Sequence, residues 1–315
     1  LGTSFANAAQ ISVSYCEPWA NPQAPLKALK WMFDKQAPLL WRPQWDTAQW
    51  RWLLQFLGQC TDRAFERNVA QLVSLGAFSH ATLKQMVAET GIEYPRSERG
   101  IAHVYTDAQA FAEAGEAAEL MRRHGVQRRV VSREELLRIE PALQPFAEQI
   151  AGGTYTPTDE HGDARVFTQA LARRCAAQGA QLLFGHDIER LEVAGGAVQR
   201  VHLRCRATGQ ARALQADAFV VACGSYTTPL LAAVGIRVPI YPGKGYSATL
   251  ALRDPARAPQ VSLLDDGRKI AISRLGDRLR VAGTIELGGF DLRLDTPVAR
   301  ARCHMLLERI EQLFP

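Results

Sequence analysis

Residues 217–225 read Asp-Ala-Phe-Val-Val-Ala-Cys-Gly-Ser. The run from Asp217 to Cys223 is continuously apolar rather than alternating, which is the pattern of a strand buried on both faces of a parallel sheet. Gly224 follows at once. A buried strand that passes through a small residue, Ala222, into a glycine lets backbone approach a ligand closely at the carboxyl end of a parallel strand, where α/β folds bind cofactors. Strand-to-glycine turns are common, so this stretch alone serves a purely structural turn equally well.

Upstream of it, Asp163 reads as the cap of a helix over Ala164 to Gln178, with Phe167, Leu171 and Cys175 on one face and Gly179 as its stop. Ala180 to Phe184, Ile188 to Val193 and Ala197 to Cys205 read as strands, the last two joined by a Gly195-Gly196 turn. Downstream, Tyr246 to Leu252 reads as a strand. Lys269 to Ser273 and Leu279 to Gly283 read as a hairpin across Gly276-Asp277, and residues 298–313 as an amphipathic helix. In the first half, Phe65, Val69, Leu72, Val73 and Leu83 mark a long helix over 61–90 that Gly91 stops. Ile101 to Tyr105 reads as a strand. Thr106 or Asp107 caps a helix running to Arg123, and Ser132 with Glu135 forms a capping box for a short helix that Pro141 ends. Residues 20–150 are therefore expected to be a mixed α+β region.

Composition sets the outer limits. The chain has 315 residues, 47% of them hydrophobic and 22% charged. That supports a large core in one big domain or two interleaved ones, and it excludes disordered, collagen-like and coiled-coil classes. The net charge is +5, but the Lys and Arg residues are scattered. Arg122-Arg123-His124 and Arg173-Arg174 fall where helices end and complement their dipoles. No nucleic-acid motif accompanies the charge, so no nucleic-acid partner is expected. The six cysteines include no CxxC pair or metal-ligand spacing; they read as separate, mostly buried thiols in a reducing compartment, with no metal site. No apolar run approaches the roughly 20 residues needed to span a bilayer.

Two further stretches carry chemistry. Thr3-Ser4-Phe5-Ala6-Asn7-Ala8-Ala9-Gln10 combines small residues with polar amides and suits backbone packed against a flat ligand or a phosphate, though it also suits a helix start capped by Thr3 or Ser4. Pro239-Ile-Tyr-Pro-Gly-Lys-Gly-Tyr-Ser247 is a rigid crossing that ends on Tyr246. The Tyr246 hydroxyl can be offered to a substrate carboxylate, or the ring can simply pack on the sheet edge.

Taken together and in this order, these stretches resemble the D-amino acid oxidase superfamily of FAD-dependent oxidoreductases, and within it the D-amino acid dehydrogenase small subunits. Further supporting stretches are Pro25 to Phe33, Asp159-Glu160-His161-Gly162-Asp163, Gly224 to Pro229, Lys244 to Ser247, Lys269 to Arg274 and Gly289 to Leu294. The resemblance implies an α/β with α+β fold: an incomplete Rossmann-like FAD-binding domain (residues 1–20 and 150–230) interleaved with a mixed-sheet substrate domain (21–149 and 231–315). It places Ser4, Asn7, Ala8, Ala9 and Gln10 beside the flavin, with Asn7 and Ala8 near its ring or pyrophosphate. Ile188 would touch FAD through backbone, and Ala222, Gly224 and Ser225 would line the adenosine half. Tyr246, Ile270 and Arg274 would face the substrate, with Tyr246 as the orienting residue. Ala9 stands where the family usually has glycine, Cys223 replaces a smaller or apolar residue, and Gly243 stands where a larger one is common. His161 reads as a cap or turn residue before a catalytic one.

The family also opens with a strand and a GxGxxG turn and closes with a Gly-Leu-Arg-Pro segment whose arginine clamps the substrate carboxylate. This chain begins after the first and stops before the second, so truncation at both ends is expected. The resemblance implies oxidation of a D-alanine-like D-amino acid to a 2-oxo acid and ammonia, with electrons passing to a quinone or another acceptor. An oxygen-using amine oxidase of the glycine or sarcosine type, and an inactive cofactor-free fragment, stay open as alternatives. A cytoplasmic location follows, with a peripheral contact at the inner face of the plasma membrane left open. The aromatic and arginine-rich segments Trp41 to Trp45 and Trp50 to Leu54 match an interfacial helix, although packing of these tryptophans inside the substrate domain is the favoured reading.

Overall fold

In the computed structural model, residues 2–31 and 37–315 are described; Met32 and Phe33 of the Pro25 to Phe33 stretch lie outside them. The elements run β1 (Gln10–Ile11), α1 (Ala24–Trp31), β2 (Leu39–Trp41), α2 (Thr47–Gly58), α3 (Asp62–Thr90), β3 (Arg96–Ser97), β4 (Ile101–Tyr105), α4 (Ala108–Arg123), β5 (Arg129–Val131), α5 (Arg133–Ile139), β6 (Gly152–Thr156), β7 (Glu160–Gly162) and α6 (Ala164–Ala177). They continue as β8 (His186–Ala194), β9 (Ala197–Cys205), β10 (Ala211–Leu214), α7 (Thr227–Ala232), β11 (Lys244–Ala251), β12 (Ser262–Asp265), β13 (Ile270–Leu275), β14 (Arg278–Leu287) and α8 (Pro297–Leu313). The chain divides into two compact units, one of Leu1–Arg42, Leu57–Leu171 and Gly243–Pro315, the other of Pro43–Phe56 and Ala172–Pro242. Among the described residues no helix is long and apolar enough to cross a membrane.

Local chemistry explains most boundaries. The Thr61 side chain accepts from the Ala64 amide to open α3, and Gly91, at φ +63, closes it in the left-handed conformation that glycine adopts without strain. Asp107, Ser132 and Thr296 cap α4, α5 and α8 through amides three residues on, and Asp163 accepts from Arg165 and Val166 at the head of α6.

The first unit is built on a mixed sheet ordered β11-β14-β13-β12-β4-β6-β5, with β2 added against β14. The β12–β4 and β14–β2 pairs are parallel. Successive side chains in a strand alternate between faces, and here the alternation separates two chemistries. Ala102, Val104, Leu263, Ile270, Ile272 and Val281 lie in one core with Leu306, Ile310 and Leu313 of α8 and Leu136 of α5. The residues between them in register, His103, Ser262, Ser273 and Arg280, form a buried polar set. A small antiparallel sheet, β1-β7-β3, ties the N-terminal stretch to this unit.

In the second unit β8, β9 and β10 form an antiparallel sheet, and Gly195-Gly196 makes the expected turn with both φ angles positive. Two expectations fail here. Neither Ala180 to Phe184 nor Asp217 to Cys223 forms a strand, and both are largely exposed, Val220 at 92%. A strand buried on two faces needs hydrogen-bonded neighbours at both edges, and among the described residues none pairs with either run. The apolar pattern records what these residues suit, which is not what these neighbours provide. The six cysteines are free, as expected, but all are partly rather than fully buried.

Candidate active site

In the stretch from Thr3 to Gln10 nearly every backbone carbonyl up to Ala9 accepts a hydrogen bond, and several side chains and amides of the stretch donate within it. The Asn7 amide nitrogen donates to the carbonyls of Thr3 (2.8 Å) and Ser4 (3.1 Å), while its side-chain oxygen accepts from the Ala9 amide (2.8 Å). The Phe5 amide donates to the Gly2 carbonyl. The Ser273 hydroxyl donates to the Ala8 carbonyl at 2.9 Å, and the Gly162 amide donates to the Ala9 carbonyl at 2.8 Å. Gln10 then anchors the end of the stretch, donating to the Ser262 hydroxyl and the Leu263 carbonyl of β12. Ala9 sits at φ +62, a left-handed conformation that costs an L-residue roughly 1–2 kcal/mol. This explains why a glycine would suit the position.

A cavity of about 260 Å³ opens beside this stretch, lined by Asn7, Ala8, Ala9, Gln10, Leu83, Tyr94 and Phe167. A second, of about 270 Å³, is lined by Gly2, Ser4, Phe5, Arg165, Thr168 and Gln169. The Arg165 guanidinium lies 4.7 Å from the Phe5 ring centre.

Behind the stretch the segment 12–17 is pinned by buried charge. Asp159 accepts from the Ser12 (2.8 Å) and Ser14 (2.5 Å) hydroxyls and the Val13 amide (3.1 Å). Burial nevertheless pushes its carboxyl above the ordinary aspartate value. Arg128, fully buried, donates to Glu17, the Ser14 carbonyl, Thr154 and the Tyr105 hydroxyl. Glu160, also buried, is paired with His80. His161 is buried in β7; its Nε2 meets the Arg274 carbonyl at 2.9 Å, Nδ1 has no partner among the described residues, and burial lowers its pKa.

The residues expected to face substrate lie on the large sheet. Ile270 is fully buried in the apolar core. Arg274 donates to the Gly276 and Pro255 carbonyls, which fixes its side chain along the strand end. Tyr246 is 4% exposed in the same core cluster and donates to Glu286 at 2.5 Å; Glu286 is itself 1% exposed and receives Arg42 at 2.7 Å on its other oxygen. The neighbouring Thr284 is the extra residue of a bulge opposite Gly245-Tyr246. It sits at φ +57 with a buried hydroxyl that has no partner among the described residues, a local strain of the kind that concentrates at functional sites. Glu286 was not singled out from sequence, and Asp159 and Arg42 entered only within the stretches Asp159 to Asp163 and Trp41 to Trp45, without a role of their own.

In the second unit, Gly224 sits at φ +55 and opens a single helical turn, Gly224–Tyr226, that leads into α7. Ala222 and Ser225 flank it, and Ile188 is a half-exposed residue of β8. The left-handed conformation is one that glycine adopts without strain.

All 315 residues match the family described as FAD dependent oxidoreductase, and the chain belongs to that family of flavoenzymes. Within the family, its similarity is to D-amino acid dehydrogenases. It is 47% identical over 313 residues to that of Dechloromonas aromatica, covering 99% of this chain and 74% of that protein. It is 43% identical over 316 residues to that of Paramagnetospirillum magneticum, covering 100% and 72%. Among solved structures it resembles glycine oxidase from Geobacillus kaustophilus, at 25% identity and a TM-score of 0.66 over 78% of this chain and 63% of that one.

Proposed function

We propose that the protein oxidises D-amino acids to 2-oxo acids and ammonia with FAD as its cofactor. The 47% identity to a D-amino acid dehydrogenase over 99% of the chain carries this reading. The residues present fit the cofactor. Apart from Phe5 and Asn7, the backbone from Thr3 to Ala9 bears short side chains; most of its carbonyls are engaged within the protein, and Asn7, Ala8 and Ala9 border a largely apolar cavity. Such a surface can lie flat against a ring and offer amide donors to oxygen. Bound FAD supplies the two-electron acceptor.

Around it, Ser4, Asn7, Ala8, Ala9 and Gln10, together with Ile188, Ala222, Gly224 and Ser225, are the proposed cofactor contacts. Tyr246, Ile270 and Arg274 are the proposed substrate contacts. The Tyr246 proton is already given to Glu286, so what this phenol retains for a substrate is an acceptor oxygen, suited to an ammonium rather than a carboxylate. In the overall change the substrate loses its Cα hydrogen with the bonding electron pair and one amine proton, and water converts the imino acid to 2-oxo acid and ammonia.

A quinone or another carrier is the proposed electron acceptor, in keeping with relatives named dehydrogenases rather than oxidases. The resemblance to a glycine oxidase keeps oxygen as the second reading. A peripheral membrane contact is supported by Trp45, Trp50 and Leu54, which are exposed on and just before α2.

The test uses the full-length protein carrying this sequence. Flavin absorbance that bleaches anaerobically with D-alanine but not L-alanine, without peroxide release in air, is the expected result. Bleaching by neither enantiomer removes the D-amino acid reading, and stoichiometric peroxide replaces the dehydrogenase by an oxidase.

A further inference from the structure

We propose that Arg280 is a positioning residue for the cofactor: it fixes the carbonyls of Phe5 and Asn7 so that the Ala6 and Ala8 amides face outward as a paired donor for an oxygen of the flavin nucleotide. The inference rests on the flavoenzyme reading above.

Arg280 projects from β14 on the polar face of the large sheet and is 6% exposed. One of its terminal nitrogens donates to both the Phe5 and Asn7 carbonyls, each at 3.1 Å. Its Nε donates to the Thr249 hydroxyl at 2.6 Å, which sets the guanidinium plane from the adjacent strand. No peptide bond here is cis. In a trans peptide the carbonyl and the following amide point in opposite directions. Turning the Phe5 and Asn7 carbonyls onto Arg280 therefore turns the Ala6 and Ala8 amides away from it.

The backbone groups of the stretch divide unevenly between engaged acceptors and free donors. From Gly2 to Ala9 every carbonyl except that of Ala6 has a donor within the protein. The Ala6 and Ala8 amides have no acceptor among the described residues. Ala6 is exposed and Ala8 half-buried, so these two amides are open to a ligand, and a stretch with nearly all its carbonyls consumed and these two donors free favours oxygen acceptors. The cation behind it adds to the same preference, because its field reaches through the peptide dipoles toward an anion. Two oxygen sources are possible, the pyrophosphate and the carbonyl edge of the ring.

The experiment compares wild-type full-length protein with R280M and R280K, after removal and re-addition of flavin, and measures dissociation constants for FAD and for riboflavin by fluorescence. Circular dichroism and thermal unfolding of the apoproteins identify folded variants. R280M is expected to bind FAD at least about tenfold more weakly, the loss of roughly one well-made hydrogen-bond pair, with R280K partly restored. If the pyrophosphate is the acceptor, riboflavin binding stays unchanged. If the ring is the acceptor, both ligands weaken together and the midpoint potential of bound flavin falls in R280M. A folded R280M or R280K that binds both ligands as tightly as wild type overturns the inference. Wild-type protein that takes up no FAD removes the flavoenzyme reading with it.

Discussion

Tyr246 and Glu286 are joined by a 2.5 Å hydrogen bond inside the first unit, with the phenol as donor and Arg42 completing the carboxylate from the other side. Burial works to raise the Glu286 pKa, but the bonds from Tyr246 and Arg42 outweigh it and hold the carboxyl below its ordinary value. The Tyr246 phenol is correspondingly pushed up, by burial first and then by the neighbouring carboxylate. Tyr246→Phe keeps the ring and removes one donor from a buried charge. It is expected to lower unfolding free energy by about 1.5–3 kcal/mol, the range for hydrogen bonds to charged groups, and to raise KM for D-alanine. Urea unfolding and steady-state kinetics check the two parts. An unchanged KM with reduced stability would take Tyr246 out of the substrate site and leave it a core residue.

His103 supplies a pH dependence. It is fully buried, lies edge-on to Tyr15 at 5.0 Å between ring centres, and has Arg128 at 3.4 Å from Nδ1. Burial lowers its pKa well below 6.5, and the charges of Arg128 and Lys269 lower it further. A depressed folded-state pKa means the unfolded chain takes up the proton first. The contribution of His103 is therefore complete above its unfolded value of about 6.5 and is lost as pH falls from there toward the folded value. Wild-type stability in urea should drop more steeply between about pH 7 and 5 than that of His103→Gln. Parallel pH curves for the two proteins would show that another group carries the acid sensitivity.

The sequence announced those parts of the fold that are local. Asp107, Ser132 and Asp163 were legible because such a cap is a bond between a side chain and an amide two or three residues away, and Gly91 because a left-handed stop needs only the residue itself. The hairpin over Gly276-Asp277 was legible for the same reason. Asp217 to Cys223 misled because an apolar run states only a preference for burial, whereas a strand exists only where neighbouring strands accept it. The support of the candidate site was invisible for a different reason. Arg280 meets Phe5 and Asn7 across 275 and 273 residues, and Glu286 meets Arg42 across 244. No spacing rule joins positions that far apart. Ala9 lies between these cases: its departure from the family glycine was visible, and the positive φ behind the glycine preference was not.

Ala9→Gly follows from that angle. Glycine enters the left-handed region freely, while alanine there carries strain. Against this, glycine makes the unfolded chain more flexible, which offsets part of the gain. A net increase of about 0.5–1 kcal/mol in unfolding free energy is expected, seen as a higher urea midpoint with an unchanged slope. FAD affinity should stay within twofold or so, because the substitution retains the Ala8 and Ala9 backbone bonds. A lower midpoint would mean that the Ala9 methyl group contributes more by packing than its φ angle costs.

The tryptophans of the α2 region separate by exposure into two groups that the expectation of core packing had joined. Trp45 is wholly exposed at 108% and Trp50 is 44% exposed. Trp52 stacks on Phe56 at 5.3 Å and lies 5.7 Å from Tyr241. The Trp50 Nε1 donates to the Gln44 carbonyl at 3.0 Å, but the exposed indole faces of both rings favour an interface that is apolar on one side and wet on the other, while Trp52 packs on Phe56 and Tyr241. If α2 lies against a membrane, W45A/W50A should reduce cosedimentation with phosphatidylglycerol-containing vesicles by about tenfold, since tenfold corresponds to roughly 1.4 kcal/mol, and should leave the melting temperature unchanged. W52A should do the reverse: vesicle binding kept, and stability lower by about 0.5–3 kcal/mol, as for ordinary loss of packed aromatic contact. Vesicle binding that survives W45A/W50A would exclude these two rings as the membrane contact. A W52A protein as stable as wild type would show that the Phe56 and Tyr241 contacts are dispensable, and the division of this segment into an outward and an inward face would fail.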